Sequence, residues 1–178
     1  MPSWSSGAPP LVESADGALV VRGARPEEYA AIGVLTVDAY GADKQLDDNE
    51  YAKTLANVAH RADVGEVFVA VDGAGELVGS VTFVLPGTPY AELSGPGEAE
   101  FRMLAVAPAA WGRGVGELLA RACIERARQV GATAIMICTR DFATSAHRIY
   151  ERLGFVRVPD RDWTPIPGVR LLALRLAL

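Results

Sequence analysis

Histidine and cysteine are scarce in this chain of 178 residues, which contains two of each. Cys123 and Cys138 both stand in segments with apolar periodicity, so we expect two buried free thiols. A disulfide framework needs a denser, patterned set of cysteines. Two distant histidines and two apolar cysteines give no zinc-ligand pattern, so no metal is predicted. Free thiols favour a cytoplasmic location.

Long apolar runs and excess positive charge are also absent. No run of eighteen apolar residues occurs, so we expect neither a transmembrane helix nor a membrane partner. Asp and Glu (22) outnumber Lys and Arg (17), and the net charge of -5 argues against a nucleic-acid partner and suits a cationic small substrate. Residues 1–17 lack the pattern of a signal peptide and are predicted to be a flexible leader. Residues 18–178 are predicted to form one domain.

The hydrophobic patterns alternate between periods typical of strands and of helices. Apolar-periodic segments after acidic or proline-containing starts predict helices, and short apolar runs bounded by turn residues predict strands. Asp72-Gly73 predicts the turn of a hairpin. The chain is therefore predicted to be α/β in class, with helices packed on one sheet that is mainly antiparallel at first. We expect strands at 18–24, 66–85 (as the hairpin), 98–106, 132–139, 155–158 and 169–178, and helices at 25–40, 47–62, 115–131 and 144–154.

The segment 104–119, LAVAPAAWGRGVGELL, places a glycine-rich turn between a strand and a helix. Glycines allow positive φ and close approach of the backbone to a ligand, and a helix N-terminus favours anions. Gly112, Gly114 and Gly116, with Arg113, therefore predict a pyrophosphate site. The dinucleotide fingerprint G-x-G-x-x-G requires glycine where Glu117 stands, and the P-loop pattern has no counterpart. A nicotinamide-dependent oxidoreductase is disfavoured on this ground.

A second motif lies downstream, in AHRIYERLGF (146–155), where Tyr150 precedes Gly154-Phe155 on a short helix. Together the two motifs resemble the GCN5-related N-acetyltransferase (GNAT) superfamily. The local likeness is closest to ribosomal-protein N-terminal acetyltransferases and uncharacterised small-molecule relatives, through EAE…LAVAP. The resemblance implies an acetyl-CoA-dependent N-acetyltransferase. It also implies a central, mostly antiparallel sheet of about seven strands flanked by about four helices.

The same resemblance implies how acetyl-CoA would bind. The backbone of Leu104, Ala105 and Val106 would pair with the pantetheine arm, and Tyr150 would lie near the thioester sulfur. Trp111 stands where the family usually has Arg or Gln, and it would pack on the cofactor or cover the strand end. Many members have Asn where this chain has Ala143. The pyrophosphate would be held around the turn by Gly112, Arg113, Gly114, Val115, Gly116 and Glu117.

Acetyl transfer needs a base that takes the proton of the amine and an acid that protonates the departing thiolate. Glu98 aligns best with the base of the N-terminal acetyltransferases, and Glu100 is the second choice. The alternative for Glu100 is an ion pair with Arg102, which lies on the same strand face. Tyr150 is the predicted acid. No Ser, Cys and His arrangement suggests a covalent acyl-enzyme, so direct transfer in a ternary complex is expected.

The amine acceptor, a small molecule or a peptide, is not identified by the sequence. Tyr40, Tyr90 and Trp163 are predicted to contact it. Asp43, Asp47, Asp48 and Glu50 either attract a cationic amine or form a solvated acidic loop. A homodimer is expected if the terminal strand RLLALRLAL lies at the sheet edge. The alternative to an enzyme is a non-catalytic acyl-CoA-binding or sensor domain on the same fold.

Overall fold

The apolar segments of the chain assemble into one sheet in a computed structural model, which describes residues 9–46 and 48–178. The strands are β1 Val12–Glu13, β2 Leu19–Gly23, β3 Glu66–Asp72, β4 Leu77–Val84, β5 Glu98–Val106, β6 Ala134–Arg140, β7 Val156–Arg157 and β8 Leu171–Ala177. The helices are α1 Tyr29–Ala42, α2 Asn49–Ala56, α3 Val58–Val64, α4 Val115–Gln129 and α5 Thr144–Arg152. Short 3-10 turns span Pro26–Glu28, Pro108–Ala110 and Pro159–Arg161.

The predicted α/β class and mostly antiparallel sheet are confirmed. The strand order is β1-β2-β3-β4-β5-β6-β8-β7, and β5 and β6 form the parallel pair among otherwise antiparallel neighbours. The described residues form eight strands rather than about seven. The additional strand, β1, lies within the predicted leader, where the Leu11 N–H donates to the Val21 carbonyl at 2.8 Å.

The helix predicted over 47–62 is two helices, because the chain breaks at Asn57. This residue leaves the helical region (φ -83°, ψ 69°), and its side-chain oxygen accepts the His60 N–H at 3.3 Å. Asparagine competes for backbone hydrogen bonds in this way, which makes it a good helix cap and a poor interior residue. The break gives five α-helices in the described part of the chain.

The sheet lies between two helical layers, as the alternation along β3 shows. Phe68 and Ala70 are buried in the core cluster that includes α4, and Val67 and Val69 are buried in the cluster that includes α1 and α3. Successive side chains of a strand point to opposite faces, so a strand covered on both faces is apolar throughout. None of the helices in residues 9–46 and 48–178 combines the length and apolarity that a bilayer crossing requires.

The two central strands, β5 and β6, separate part-way along their length, and cavities open where they diverge. The parallel pairing of β5 with β6 runs from Glu98↔Ala134 to Glu100↔Met136. Further along β5, Met103 has φ 56°, and the register with β4 changes so that Ser80 opposes Ala105 and Thr82 opposes Arg102. This is a β-bulge, which bends a strand and redirects its side chains.

The terminal strand is not at the sheet edge. β8 lies between β6 and β7. The Val158 N–H donates to the Ala173 carbonyl at 2.9 Å, and Trp163 forms a bridge with Leu171. Because other parts of the same chain cover the outer side of β8, the condition on which a homodimer was expected is not met.

Candidate active site

A groove of about 600 Å³ opens where β5 and β6 diverge. Strand β5, the glycine turn, the first turn of α4 and one side of α5 form its walls. Most of the residues predicted to hold acetyl-CoA line this one groove. They are Leu104, Ala105, Val106, Trp111, Gly112, Gly114, Val115, Gly116, Glu117 and Tyr150.

In the glycine turn, the N–H groups of Trp111 and Arg113 donate to the Pro108 and Ala110 carbonyls at 3.2 Å and 3.4 Å, which leaves those of Gly112 and Gly114 for a ligand. Gly112 and Gly114 have φ values of 78° and 80°, a conformation that other residues rarely adopt. Helix α4 begins directly afterwards at Val115, and its first N–H groups have no carbonyl partner within the helix. The N–H groups and the positive end of the helix dipole suit a pyrophosphate, so the residues present fit coenzyme A.

Two charged residues of the turn differ from expectation. Arg113 does not line the groove, because its side chain reaches Asp72 on β3 at 3.7 Å. Glu117 lines the groove, and its carboxylate binds Arg121 at 2.8 Å and Arg152 at 3.0 Å. Hydrogen bonds from Arg121 and Arg152 lower the pKa of Glu117, so it is ionised and neutralised by two guanidiniums.

The positive side chains in the groove come from α5 rather than from the turn. Arg148 and Arg152 both line the groove. They are four residues apart and therefore lie on the same side of the helix. Sequence reasoning missed this pair, although its spacing on the helix that carries Tyr150 was a usable signal.

Trp111 lies along the end of β5. Its Nε1 donates to the Val106 carbonyl at 3.0 Å, and 52% of the residue is exposed. The indole therefore occupies one backbone acceptor of the strand segment that was predicted to pair with the pantetheine arm.

Tyr150 lines the groove and is buried. Its ring meets Phe101 and Phe155 edge to face, with centroids 5.9 Å and 5.6 Å apart. Burial raises the pKa of Tyr150 well above its usual value of 10.0, so the phenol keeps its proton at neutral pH.

A second cavity, called the chamber, adjoins the groove and has a volume of about 380 Å³. Tyr40, Gln45, Met103, Cys138 and Thr139 line both cavities, so the two meet at the divergence of the strands. The other lining residues are Asp48, Glu50, Tyr51, Thr54, Glu92, Arg102, Arg140, Trp163, Pro165, Ile166, Val169 and Leu171.

The chamber contains two of the three predicted acceptor contacts, Tyr40 and Trp163. Tyr90 is not one of its lining residues. The Tyr90 side chain is buried, and its hydroxyl shares a hydrogen bond of 2.8 Å with Nδ1 of His60.

The predicted acidic segment divides between the two cavities. Asp48 and Glu50 line the chamber, and Asp43 lines the groove. Asp47 lies outside the described residues.

The placement of Glu98 argues against the base role predicted for it. Glu98 begins β5, about 20 Å along the strand from Leu104, and lines neither cavity. Its carboxylate binds Arg161 at 2.7 Å and Arg175 at 2.9 Å. Burial alone would raise the pKa of Glu98, but the Gly95 N–H and the two guanidiniums outweigh it and lower the pKa to about 2. A carboxylate held in this way is a weak base.

Glu100 has a structural role that explains its complete burial. Its Oε2 accepts the N–H groups of Glu92, Leu93 and Ser94, each at 3.0 Å, and the Ser94 hydroxyl at 3.1 Å. Arg102 pairs with Glu92 instead of Glu100. Glu100 lines neither cavity, and it fixes the loop that carries Glu92.

Glu92 is the carboxylate that sequence reasoning missed. It lines the chamber and pairs with Arg102 at 3.0 Å. Burial raises the pKa of Glu92, and the nearby Arg102 opposes this only in part. The residue belongs to a Pro/Gly loop, so no periodic signal in the sequence showed where its side chain lies.

Cys138 lies where the cavities meet and remains a neutral thiol. Burial raises its pKa to about 12, although Arg102 acts in the opposite direction. The thiolate is the nucleophilic form of cysteine, so Cys138 is poorly suited to carry an acyl group. Within residues 9–46 and 48–178, no three His, Cys, Asp or Glu side chains are arranged to hold a metal ion.

Comparisons with known proteins agree with this geometry. The family model described as Acetyltransferase (GNAT) family matches residues 30–155. An uncharacterised N-acetyltransferase of Schizosaccharomyces pombe is 30% identical over 113 residues, which cover 64% of this chain and 65% of that relative, just under two thirds of its length. The structure of a GCN5-related N-acetyltransferase from Kribbella flavida is 28% identical with a TM-score of 0.65, covering 92% of this chain and 100% of the other. The structure of yncA from Salmonella typhimurium, which contains its cofactor acetyl-CoA, is 20% identical with a TM-score of 0.62, covering 90% and 94%.

Proposed function

Because the chain belongs to the acetyltransferase (GNAT) family, we propose that it transfers an acetyl group from acetyl-CoA to a primary amine by direct attack in a ternary complex. The observation that carries the proposal is the meeting of the groove and the chamber at the divergence of β5 and β6. Tyr150 stands on the groove side of this meeting point and Glu92 on the chamber side. Family membership favours this enzyme over a non-catalytic binding domain.

The groove residues hold and orient the donor in this proposal. The N–H groups around Gly112, Gly114 and Val115 bind the pyrophosphate, and Arg148 adds positive charge, whereas Arg152 stays paired with Glu117. Bound acetyl-CoA supplies an activated acyl group as a thioester.

The chamber residues prepare the acceptor. An amine is protonated at neutral pH and must lose a proton before its nitrogen can attack. Glu92 accepts that proton, and its raised pKa makes it a better base than an ordinary carboxylate. Arg102 holds one Glu92 oxygen and leaves the other for the amine.

Tyr150 acts at the other end of the transfer, where its phenol donates a proton to the sulfur. In the net reaction an N–C bond forms, the C–S bond breaks, and an amide, a thiol and one proton are released. Glu92 passes the ammonium proton to solvent, and the second proton, which the nitrogen loses as the intermediate collapses, restores the phenol through solvent.

Kinetics of Glu92→Gln and Tyr150→Phe test the assignment. General acid–base groups typically contribute about 10²- to 10⁴-fold, so we expect kcat to fall by at least about 10²-fold in each variant. The Kd for acetyl-CoA, measured by calorimetry, should be unchanged. Glu125→Gln is the matched control, because this exposed carboxylate pairs with Arg128 on the outer face of α4.

The pH profile provides a second test. The wild-type rate should fall as the pH drops through the raised pKa of Glu92, and this dependence should disappear in Glu92→Gln. Wild-type kcat values in both variants would refute the roles of Glu92 as base and Tyr150 as acid. An unchanged fall in rate at low pH in Glu92→Gln would refute the role of Glu92.

A further inference from the structure

One wall of the chamber consists of apolar side chains from the segment 163–171 near the C-terminus. Trp163, Pro165, Ile166, Val169 and Leu171 all line the cavity. Ile166 is 42% exposed, so part of this apolar wall is open to a ligand. The family match ends at residue 155, so this wall lies beyond the matched region.

The segment is held in place by the rest of the sheet. Trp163 and Leu171 exchange backbone hydrogen bonds of 3.1 Å and 2.9 Å. Just before it, Arg161 binds Glu98 and Asp162 binds Arg157. The apolar wall is therefore largely formed before any ligand enters, which reduces the entropy cost of binding.

Another part of the chamber lining carries aromatic rings and carboxylates. Tyr40 and Tyr51 meet edge to face with their centroids 6.1 Å apart. Asp48 and Glu50 stand at the exposed N-terminal end of α2, where Asp48 accepts the Tyr51 N–H and Glu50 pairs with Lys53 at 2.6 Å. Glu92, on the neighbouring loop, is the less exposed carboxylate of the chamber. Aromatic rings and carboxylates both attract an ammonium group.

The two guanidiniums of the chamber already have partners. Arg102 binds Glu92 at 3.0 Å and donates to the Tyr90 carbonyl at 3.1 Å. Arg140 stacks over the Phe142 ring at 4.8 Å. A carboxylate on the ligand would compete with Glu92 for Arg102, and it would lie in a chamber whose lining already includes the carboxylates of Asp48, Glu50 and Glu92.

We propose that the acceptor is a small apolar primary amine, an alkylamine or arylalkylamine without a carboxylate, and this rests on the proposed acetyl transfer. The volume of about 380 Å³ lies at the small end of ligand pockets and suits such a molecule. The apolar wall takes the body of the amine, and the carboxylates take its ammonium group. An α-amino acid has the same ammonium group but brings a carboxylate that must compete with Glu92 for Arg102.

A matched series of acceptors tests this, with thiol release from acetyl-CoA as the readout. The compounds are 2-phenylethylamine, L-phenylalanine, L-phenylalanine amide and spermidine. We expect kcat/KM for 2-phenylethylamine to exceed that for phenylalanine by at least tenfold. The amide, which lacks the carboxylate charge at nearly the same size, should recover most of the difference. Equal or better use of phenylalanine or spermidine would overturn the proposal.

Calorimetric binding of the same four compounds to the protein saturated with coenzyme A separates this proposal from the proposed function. Binding of 2-phenylethylamine without turnover of any amine would refute acetyl transfer and leave the chamber's preference supported. Turnover of phenylalanine in preference to 2-phenylethylamine would uphold acetyl transfer and refute the preference. Failure of 2-phenylethylamine to bind would refute the preference whatever the turnover.

Ile166→Lys tests the wall directly. A cation in the apolar wall should raise KM for 2-phenylethylamine by at least tenfold and narrow the gap to phenylalanine, with the acetyl-CoA Kd unchanged. Val156→Lys is the control, because Val156 is an exposed apolar residue on β7 outside the chamber. Equal effects of the two substitutions, or none from Ile166→Lys, would show that the wall does not contact the acceptor.

Discussion

The substitution Glu98→Gln distinguishes two roles for this residue. The sequence predicted a catalytic base, whereas the contacts of Glu98 indicate a structural role. The pKa of Glu98 falls from its ordinary 4.5 to about 2, a difference worth about 3 kcal/mol at 1.36 kcal/mol per unit. The side chain is only 8% exposed, but Arg161 and Arg175 are more than a third exposed, so solvent screening reduces this value to about 2–3 kcal/mol. We expect Glu98→Gln to lose this much stability at pH 7.

The loss should depend on pH in a defined direction. A carboxylate whose pKa is lowered by folding stabilises the protein fully above its unfolded pKa, and the stabilisation disappears as the pH falls through the folded pKa. The difference between wild type and Glu98→Gln should therefore be constant above about pH 5 and shrink by up to about 2 kcal/mol by pH 3. Asp162, whose pKa is also lowered to about 2, titrates equally in both proteins and cancels.

Urea denaturation from pH 7 to pH 3 measures this difference, and thiol release at pH 7 and 25 °C measures activity. We expect a lower denaturation midpoint at pH 7 and a kcat within about threefold of wild type under conditions where both proteins are folded. A stability difference that does not change with pH would refute the linkage. A large fall in kcat without loss of stability would refute the structural role and restore Glu98 as the base.

Two further predictions concern the turn and the helical layer. Trp111→Phe removes the indole donor and frees the Val106 carbonyl while keeping an aromatic ring. Because the backbone amides of the turn remain, the Kd for acetyl-CoA, measured by calorimetry, should stay within about threefold of wild type. A tenfold or greater loss of affinity would show that the indole N–H matters for cofactor binding. Gly33→Ala places a Cβ 2.7 Å from the Ala56 carbonyl oxygen, so helix α2 must shift, and we expect a cost of about 1–3 kcal/mol and a lower thermal midpoint. Gly73→Ala meets nothing within 4 Å and should be close to neutral, and equal midpoints for the two variants would contradict the packing argument.

The shape of the groove could be predicted from sequence because its signals are local. The glycine turn, the start of α4 and the strand before it are adjacent in the chain, so backbone chemistry at Gly112 and Gly114 determines their shape. Strand β5 was predicted at the bounds that the structure shows, Glu98–Val106. The helix break at Asn57 was missed because the apolar pattern continues across it.

The lining of the chamber depends on long-range contacts, so the sequence alone showed little of it. Glu92 faces the chamber only because Glu100 binds three N–H groups of its loop and Arg102 pairs with its carboxylate. Glu98 had the expected spacing on the strand, but spacing does not show that the strand carries it away from the meeting point of the cavities. The bulge at Met103 has no signature that a single sequence reveals.

The segment 163–171 lines the chamber and contributes no residue to the groove. It is fastened by backbone pairing along β8 and by ion pairs of Glu98 and Asp162, at a distance from the glycine turn. Under the proposed function, substitutions in this segment would change acceptor preference and leave the groove intact. Proteins that descend from this chain and differ in acceptor preference would then differ mainly within residues 163–171. Exchanging this segment between relatives is a direct way to transfer acceptor specificity.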